Sequence, residues 1–235
     1  MIDSFLDVEA FLEQNNAMIS INPEGYFITG SDTDVGKTYI ACELIRQLRT
    51  SGVELEVRKP AESGCLRNAQ GELITNDALA LKTASDSSQP IERIAAYRFE
   101  AALAPPRAAK LVGGSLQIAD LVNACSLDDT NHLLIVEGAG GFYSPLAENG
   151  LNADLASLLQ LALIIVVKDR IGAVNQALMT IHAVESRQLR VAAVIMNQLE
   201  ESTDMNMNNV EDLRNHCQYP VFRCGYRQRL EAVFA

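Results

Sequence analysis

The sequence lacks the paired cysteine and histidine motifs from which most metal centres and disulfide frameworks are built. None of its five cysteines forms a Cys-x-x-Cys pair, and its three histidines have no metal-binding spacing. Zinc sites and redox motifs depend on such spacing. An odd, scattered set of cysteines is typical of reduced thiols, so we expect a cytoplasmic protein. The cysteines are Cys42, Cys65, Cys125, Cys217 and Cys224.

Excess basic charge and long apolar runs are also absent. The 235 residues carry a net charge of −11, which argues against a general nucleic-acid-binding surface. The longest apolar run, residues 161–167, is far shorter than the roughly 20 residues that span a bilayer. The N-terminus is acidic where a targeting peptide would be basic. We therefore expect no nucleic-acid or membrane partner, and an anionic substrate would need a locally basic site.

What the chain does contain is an alternation of strand-like and helical patterns. This alternation predicts an α/β fold, a mostly parallel sheet flanked by helices on both faces in a three-layer sandwich. No repeat, low-complexity tract or linker interrupts residues 1–235, so we predict one domain. Residues 1–25 precede the first strand and have apolar side chains at helical spacing, which predicts a helical appendage. Residues 223–235 are predicted to form a helical tail.

The segment at residues 30–38, GSDTDVGKT, follows an apolar run and leads into a helical pattern. That is the layout of a phosphate-binding P-loop, in which backbone N–H groups at a helix start face phosphate oxygens. The predicted three-layer sandwich is therefore expected to be P-loop NTPase-like. Lys37 is expected to reach the terminal phosphates, and the Thr38 hydroxyl to bind Mg²⁺. The match is inexact, because Ser31 stands where the motif's first glycine belongs and Gly30 lies one position earlier. The alternative is an ordinary strand–turn–helix with an incidental lysine.

Three charged residues lie where other strands end or a helix begins. Lys59 follows the alternating segment 53–57, and Glu137 closes the apolar run 132–136. Ligands of open α/β sheets collect at that edge, and P-loop enzymes place a Mg²⁺-linked carboxylate there. Lys59 is therefore either a second cation facing phosphates or a solvated strand-end lysine. Asp77 is either a helix cap or a metal ligand.

Several of these segments together resemble the dethiobiotin synthetases, the ATP-dependent ring-closing enzymes of biotin synthesis. That family's loop reads Gly-x-Asp-Thr-(Asp/Glu)-Val-Gly-Lys-Thr, and residues 30–38 reproduce it, including the extra spacing. The motifs Lys-Pro-x-x-(Ser/Thr)-Gly, Asn-Asp-Ala, Ala-Pro-(His/Pro), Glu-Gly-Ala-Gly-Gly and Gly-x-x-Asn follow in order. They lie at residues 59–64, 76–78, 104–106, 137–141 and 172–175. The likeness covers about residues 26–198.

The resemblance implies a reaction and a set of site residues. One amino group of 7,8-diaminononanoate takes up CO₂ as a carbamate, ATP phosphorylates it to a carbamic–phosphoric anhydride, and the second amine closes the ring of dethiobiotin. Lys37 and Lys59 would be catalytic, flanking the carbamate and the γ-phosphate. Mg²⁺ would be held by Thr38, Asp77 and Glu137. ATP would be bound by Asp34, Val35, Gly36, Lys37, Thr38, Tyr39, Asp77, Glu137, Gly138, Ala139, Gly140, Asn197 and Gln198.

The resemblance also implies how the second substrate is held. Thr33 and Ser63 would contact the diamine or the carbamate, and Asn197 would read the adenine. The substrate carboxylate would be received by a neighbouring subunit, which implies a homodimer; the residues there are Gly172, Ala173, Val174 and Asn175. The chain departs from the family at Gln198, where Asp is common, at Gln176, where His is common, and in residues 222–226, which lack Leu-Gly-x-(Leu/Ile)-Pro.

Two other classes of protein share parts of this pattern. One is a nucleotide-switch ATPase of the partitioning type, which performs no small-molecule chemistry. Those proteins usually carry an additional lysine early in the P-loop, where this chain has SDTD at residues 31–34. The other is a cobalamin-pathway amidotransferase with a related ATP domain, but the chain has no room for a glutaminase domain. The carboxylase-cyclase is therefore the leading hypothesis.

Overall fold

The computed structural model describes residues 18–201 and 206–235. The apolar positions that predict the N-terminal helix, Phe5, Val8, Phe11 and Leu12, lie outside the described residues. Within them, Ile19 pairs with Phe234 in an isolated parallel β-bridge, which joins the two ends of the described chain. None of the described helices is both long and apolar enough to cross a membrane.

A six-stranded parallel sheet forms the centre of the fold. Its strands are β1 (Gly25–Gly30), β2 (Leu55–Arg58), β7 (Leu133–Gly141), β10 (Ala162–Lys168), β11 (Val191–Asn197) and β12 (Val221–Cys224), in the order β12-β11-β10-β1-β7-β2. Three two-stranded pairs accompany it: β3 (Ala61–Ser63) with β6 (Tyr97–Phe99), β4 (Leu66–Arg67) with β5 (Leu73–Ile74), and β8 (Pro145–Ala147) with β9 (Gly150–Leu151).

Helices cover both faces of the sheet. The described helices are α1 (Lys37–Thr50), α2 (Asn76–Ser85), α3 (Ile91–Ile94), α4 (Pro105–Leu111), α5 (Ile118–Ala124), α6 (Asn152–Leu159), α7 (Ala173–Ser186) and α8 (Asn209–Arg214). Successive residues of a strand point to opposite faces. In β1, Ile28 packs in the same apolar cluster as Leu44 of α1, and Phe27 packs in the other cluster with Ile181 of α7. The predicted three-layer α/β sandwich is therefore confirmed, while the count of one domain stays a prediction.

The predicted helical tail at residues 223–235 is wrong. Strand β12 continues to Cys224, and no helix follows it. The tail instead runs along α1, where Gln47 donates to the carbonyls of Leu230 and Glu231 and accepts from the N–H of Val233. These side-chain bonds satisfy tail backbone groups that a helix would otherwise have to satisfy internally.

Candidate active site

The P-loop joins the end of β1 to the start of α1. Gly36 is the N-cap of α1 with φ of +86°, and no side chain caps the helix. A Cβ atom on Gly36 would lie 2.1 Å from Nδ2 of Asn197, so only glycine fits both the backbone conformation and the space. The first N–H groups of α1 have no partner within the helix and carry the positive end of its dipole. This helix start can therefore receive an anion.

A cleft of about 730 Å³ opens beside this helix start, at the carboxyl edge of the sheet. Eleven of the residues that the sequence predicted as site residues line it: Thr33, Asp34, Gly36, Lys37, Thr38, Lys59, Ser63, Asp77, Glu137, Ala139 and Gly140. Glu62, Leu103, Ser144 and Leu199 line it too, and the sequence had assigned them no role. The motif residues scattered along the chain thus converge on one cavity.

Lys59 lies at the centre of the charged groups in this cleft. Its Nζ is 2.5 Å from Oε1 of Glu137 and 2.8 Å from Oδ2 of Asp77. Thr38 also donates its hydroxyl to Oε1 of Glu137, at 2.8 Å. Burial disfavours the charged form of Lys59, but Glu137 and Asp77 together outweigh it and raise the pKa of Lys59 above its ordinary value. The interpretation of Lys59 as a solvated strand-end lysine is wrong, because only 3% of this residue is exposed.

Lys37 is the second cation of the cleft. Its side chain is buried, and Nζ donates to the carbonyl of Asp32 at 3.2 Å. Burial, together with the charge of Lys59, lowers the pKa of Lys37 to about 8. A bound anion would favour the charged form again, since opposite charges at short range stabilise each other. The two lysines therefore bring positive charge into a cleft that the carboxylates of Asp34, Glu62, Asp77 and Glu137 also line, so the expected locally basic site is instead one of mixed charge.

The oxygen atoms in the cleft fit a magnesium ion. Mg²⁺ prefers oxygen ligands and is usually bound through one or two carboxylates plus phosphate oxygens and water. Asp77 and Glu137 supply two carboxylates beside the Thr38 hydroxyl, and Oε2 of Glu137 is buried without a hydrogen-bond partner. Within residues 18–201 and 206–235, no group of three or more His, Cys, Asp and Glu side chains could hold a metal by itself. Phosphate and water would have to complete this set.

The glycine-rich end of β7 is held by side chains that the sequence did not single out. Asn152, at the start of α6, accepts from the N–H of Ala139 at 3.0 Å and donates to its carbonyl at 2.7 Å. Ser144 accepts from the N–H of Gly141, and a Cβ on Gly140 would lie 2.7 Å from the Ser144 hydroxyl. The hydroxyl of Ser63 is buried nearby in the cleft lining with no partner. Ser63 is thus a polar group available to a ligand.

On the other side of the P-loop, β11 ends at Asn197. The side chain of Asn197 is buried and donates to the carbonyl of Val35 at 2.9 Å, so it stabilises the backbone of the P-loop at Val35. The N–H of Gln198 donates to Cys224 of the neighbouring strand. Tyr39 is partly exposed and donates its hydroxyl to the carbonyl of Gln228 at 2.7 Å. Of the residues predicted to bind the nucleotide, five do not line the cleft, and their role stays a prediction: Val35, Tyr39, Gly138, Asn197 and Gln198.

Residues 172–175 lie apart from this cleft. Gly172 caps the start of α7, and none of Gly172, Ala173, Val174 and Asn175 lines the cavity of its own chain. The preceding Ile171 is 84% exposed. These residues had been assigned to the cleft of a neighbouring subunit, and a single chain does not test that assignment. Their role and the homodimer stay predictions.

Comparison with known proteins identifies the family. A family model described as an AAA domain matches residues 24–224. The ATP-dependent dethiobiotin synthetase BioD of Vesicomyosocius okutanii is 43% identical over 75% of this chain and 79% of its own length. The enzyme of the same name from Ruthia magnifica is 38% identical over 84% and 89%.

A solved structure gives the fold alone. The MinC:MinD cell division protein complex of Aquifex aeolicus matches with a TM-score of 0.53 at 17% identity, covering 86% of this chain and 81% of that one. Such a distant likeness supports a P-loop α/β fold and carries no function. The sequence relatives are far closer and cover most of both chains. The chain therefore belongs to the ATP-dependent dethiobiotin synthetase family.

Proposed function

We propose that the chain converts 7,8-diaminononanoate, CO₂ and ATP into dethiobiotin, ADP and phosphate, with Mg²⁺. The observation that carries the proposal is the convergence of Lys37, Lys59, Thr38, Asp77 and Glu137 on one cleft in a member of this family. The reaction gathers a carbamate and a triphosphate, and it adds charge as the phosphoryl group moves. Preorganised cations and N–H donors in a shielded cleft stabilise such charge most effectively.

The triphosphate would lie on the P-loop. Its oxygens would accept from the backbone amides of residues 34–39, at the start of α1, where no side chain competes for them. Lys37 points its ammonium into the same cleft. At the base end, Asn197 and Gln198 would face the adenine, and Gly138 to Gly140 would border the nucleotide. The closeness of Asn197 to Gly36 supports this arrangement.

Mg²⁺ would be held by Thr38, Asp77 and Glu137, directly or through water. When bound, the ion would neutralise charge on the phosphate oxygens. Lys59 engages both carboxylates with its single ammonium. The position of Lys59 is therefore coupled to whatever else binds Asp77 and Glu137.

The carbamate and the diamine would lie between the two lysines and the hydroxyls of Thr33 and Ser63. The free hydroxyl of Ser63 supports a polar contact there. The substrate chain would extend from this cleft to Gly172, Ala173, Val174 and Asn175 of a second copy, whose helix start would receive the carboxylate. The working unit would thus be a cytoplasmic homodimer acting on small molecules.

One assay separates this function from that of a nucleotide-switch ATPase. Purified protein is mixed with ATP, Mg²⁺ and bicarbonate, and ADP and dethiobiotin are measured with and without 7,8-diaminononanoate. We expect ADP release to depend on the diamine and to match dethiobiotin formation one to one. ADP release that is indifferent to the diamine, with no dethiobiotin, would refute the proposal.

A further inference from the structure

The carboxylate of Glu62 caps helix α2 without belonging to it. Glu62 lies in β3, and only 5% of the residue is exposed. Its Oε1 accepts the N–H of Asp77 and its Oε2 accepts the N–H of Ala78, each at 3.0 Å. These are the second and third residues of α2, whose N–H groups have no partner inside the helix.

Helix α2 has no cap of its own. Thr75 occupies the N-cap position, yet its side chain makes no capping hydrogen bond. An ordinary N-cap side chain bonds the N–H of the second or third helical residue. Glu62 bonds both, and its negative charge faces the positive end of the helix dipole. The first turn of α2 is therefore anchored to β3 by this one side chain.

The anchored turn carries Asp77 into the cleft. The Asp77 carboxylate reaches Nζ of Lys59 at 2.8 Å, and its side chain is still 37% exposed. A side chain with this much free surface is not fixed by its own packing. The position of the Asp77 carboxylate thus depends on its ion pair with Lys59 and on its backbone, which Glu62 holds at the Asp77 N–H.

We infer that Glu62 is a positioning residue, which holds the backbone at Asp77 so that its carboxylate stays beside Lys59 and Glu137, where it would share a metal ion with Glu137 and Thr38. The inference rests on the proposed role of Asp77 in holding Mg²⁺. Partners that orient metal ligands from behind contribute about 10–100-fold to metal affinity. Glu62 contributes through the helix it caps, and it touches no metal.

The test measures binding, not turnover. The protein is titrated calorimetrically with a non-hydrolysable ATP analogue in excess Mg²⁺ and again in EDTA, and the ratio of the two dissociation constants gives the contribution of the metal. We expect Glu62→Ala to reduce this contribution about tenfold and to leave the affinity in EDTA unchanged. Amide hydrogen exchange at Asp77 and Ala78 should accelerate in the same variant.

A matched control separates positioning from a general loss of helix stability. The Asp120 carboxylate accepts the N–H of Gln117 at 2.9 Å at the start of α5, and it does not line the cleft. Asp120→Ala therefore removes a helix-terminal carboxylate elsewhere, and it should leave the metal contribution at the wild-type value. Glu62→Gln keeps one acceptor oxygen and should give an intermediate value; it replaces Glu62→Ala if the alanine variant does not fold.

A double-mutant cycle with Asp77→Asn decides between the outcomes. If Glu62 acts through Asp77, the contribution of the metal to nucleotide affinity should be no smaller in the double variant than in Asp77→Asn alone. A loss with Asp77→Asn but none with Glu62→Ala would overturn the inference and leave the proposed function standing. A loss with neither variant would remove Asp77 from the metal site. The proposed metal-binding role of Asp77 and the inference about Glu62 would then fail together.

Discussion

Replacing Lys59 should expose how the cleft balances its charges. Lys59→Met keeps most of the side-chain volume and removes the ammonium that lies between Glu137 and Asp77. Glu137 is 1% exposed, so its carboxylate would be left buried without its cation. Breaking a buried pair by removing one partner costs about 3–5 kcal/mol. For a chain of this size, that cost corresponds to a fall in melting temperature of roughly 6–20 °C.

The same reasoning predicts how Mg²⁺ acts on this variant. In the wild type, the Lys59 ammonium already pairs with both carboxylates, so Mg²⁺ without nucleotide should raise the melting temperature little. In Lys59→Met the carboxylates are uncompensated, and Mg²⁺ should bind there and restore much of the lost stability. The assay is thermal unfolding of both proteins, with and without millimolar MgCl₂, at constant ionic strength.

The second part of the prediction concerns the rate of dethiobiotin formation by Lys59→Met. Loss of one preorganised donor to developing charge reduces kcat about 10²–10³-fold, so dethiobiotin formation by Lys59→Met should be almost abolished even where Mg²⁺ restores stability. Arg58→Met is unsuitable as a control because Arg58 belongs to another buried ion pair, whereas Lys110→Met removes an exposed lysine. A near-normal rate, or equal Mg²⁺ stabilisation of variant and wild type, would contradict the reasoning.

Three further predictions concern single residues. Lys37→Met should lower kcat about 10²–10³-fold with a melting temperature close to wild type, measured by ADP release and thermal unfolding. Gly36→Ala should lose ATP affinity by calorimetry, because its φ of +86° and the 2.1 Å approach to Asn197 leave no room for a methyl group; unchanged affinity would contradict this. Burial raises the pKa of Glu56, but the Asp129 N–H, Arg58 and Gln89 outweigh it and lower the pKa to about 2. Glu56 should therefore stabilise the fold by roughly 3 kcal/mol above about pH 5 and lose this contribution towards pH 2; urea unfolding should show the wild-type advantage over Glu56→Gln shrinking in this range.

The sequence predicted the central fold well because the signals for it are local. Buried strands such as β10 are continuous apolar runs, and the P-loop is one unbroken segment. The ambiguity at Lys59 could not be resolved in the same way, because it depends on which strands are neighbours. Strands β2 and β7 pair with Arg58 opposite Val136, so the next residues, Lys59 and Glu137, emerge side by side. That adjacency joins positions far apart in the chain.

Glu62 shows a second limit of sequence reasoning. The residue lies within the motif at residues 59–64, yet nothing near it indicates that its carboxylate caps a helix that begins at Asn76. Local patterns predict caps only from residues directly before a helix. Here the N-cap position is held by Thr75, whose side chain is not used, and the capping group comes from another strand. A helix cap that comes from another strand can be recognised only from the backbone hydrogen bonds of the folded chain.

The C-terminal tail includes residues 222–226, where the chain departs from the family pattern. Its hydrogen bonds show that the tail contacts helix α1. Tyr39, Glu43 and Gln47 recur at every fourth residue of α1, so they share one face of the helix. Each of them makes a hydrogen bond to the tail backbone at residues 228–233. Helix α1 is also the helix whose first N–H groups face the cleft. The chain that follows the divergent residues 222–226 is therefore hydrogen-bonded along the helix that begins at the P-loop, so changes in the tail bear on the orientation of the phosphate-binding helix without altering the loop itself.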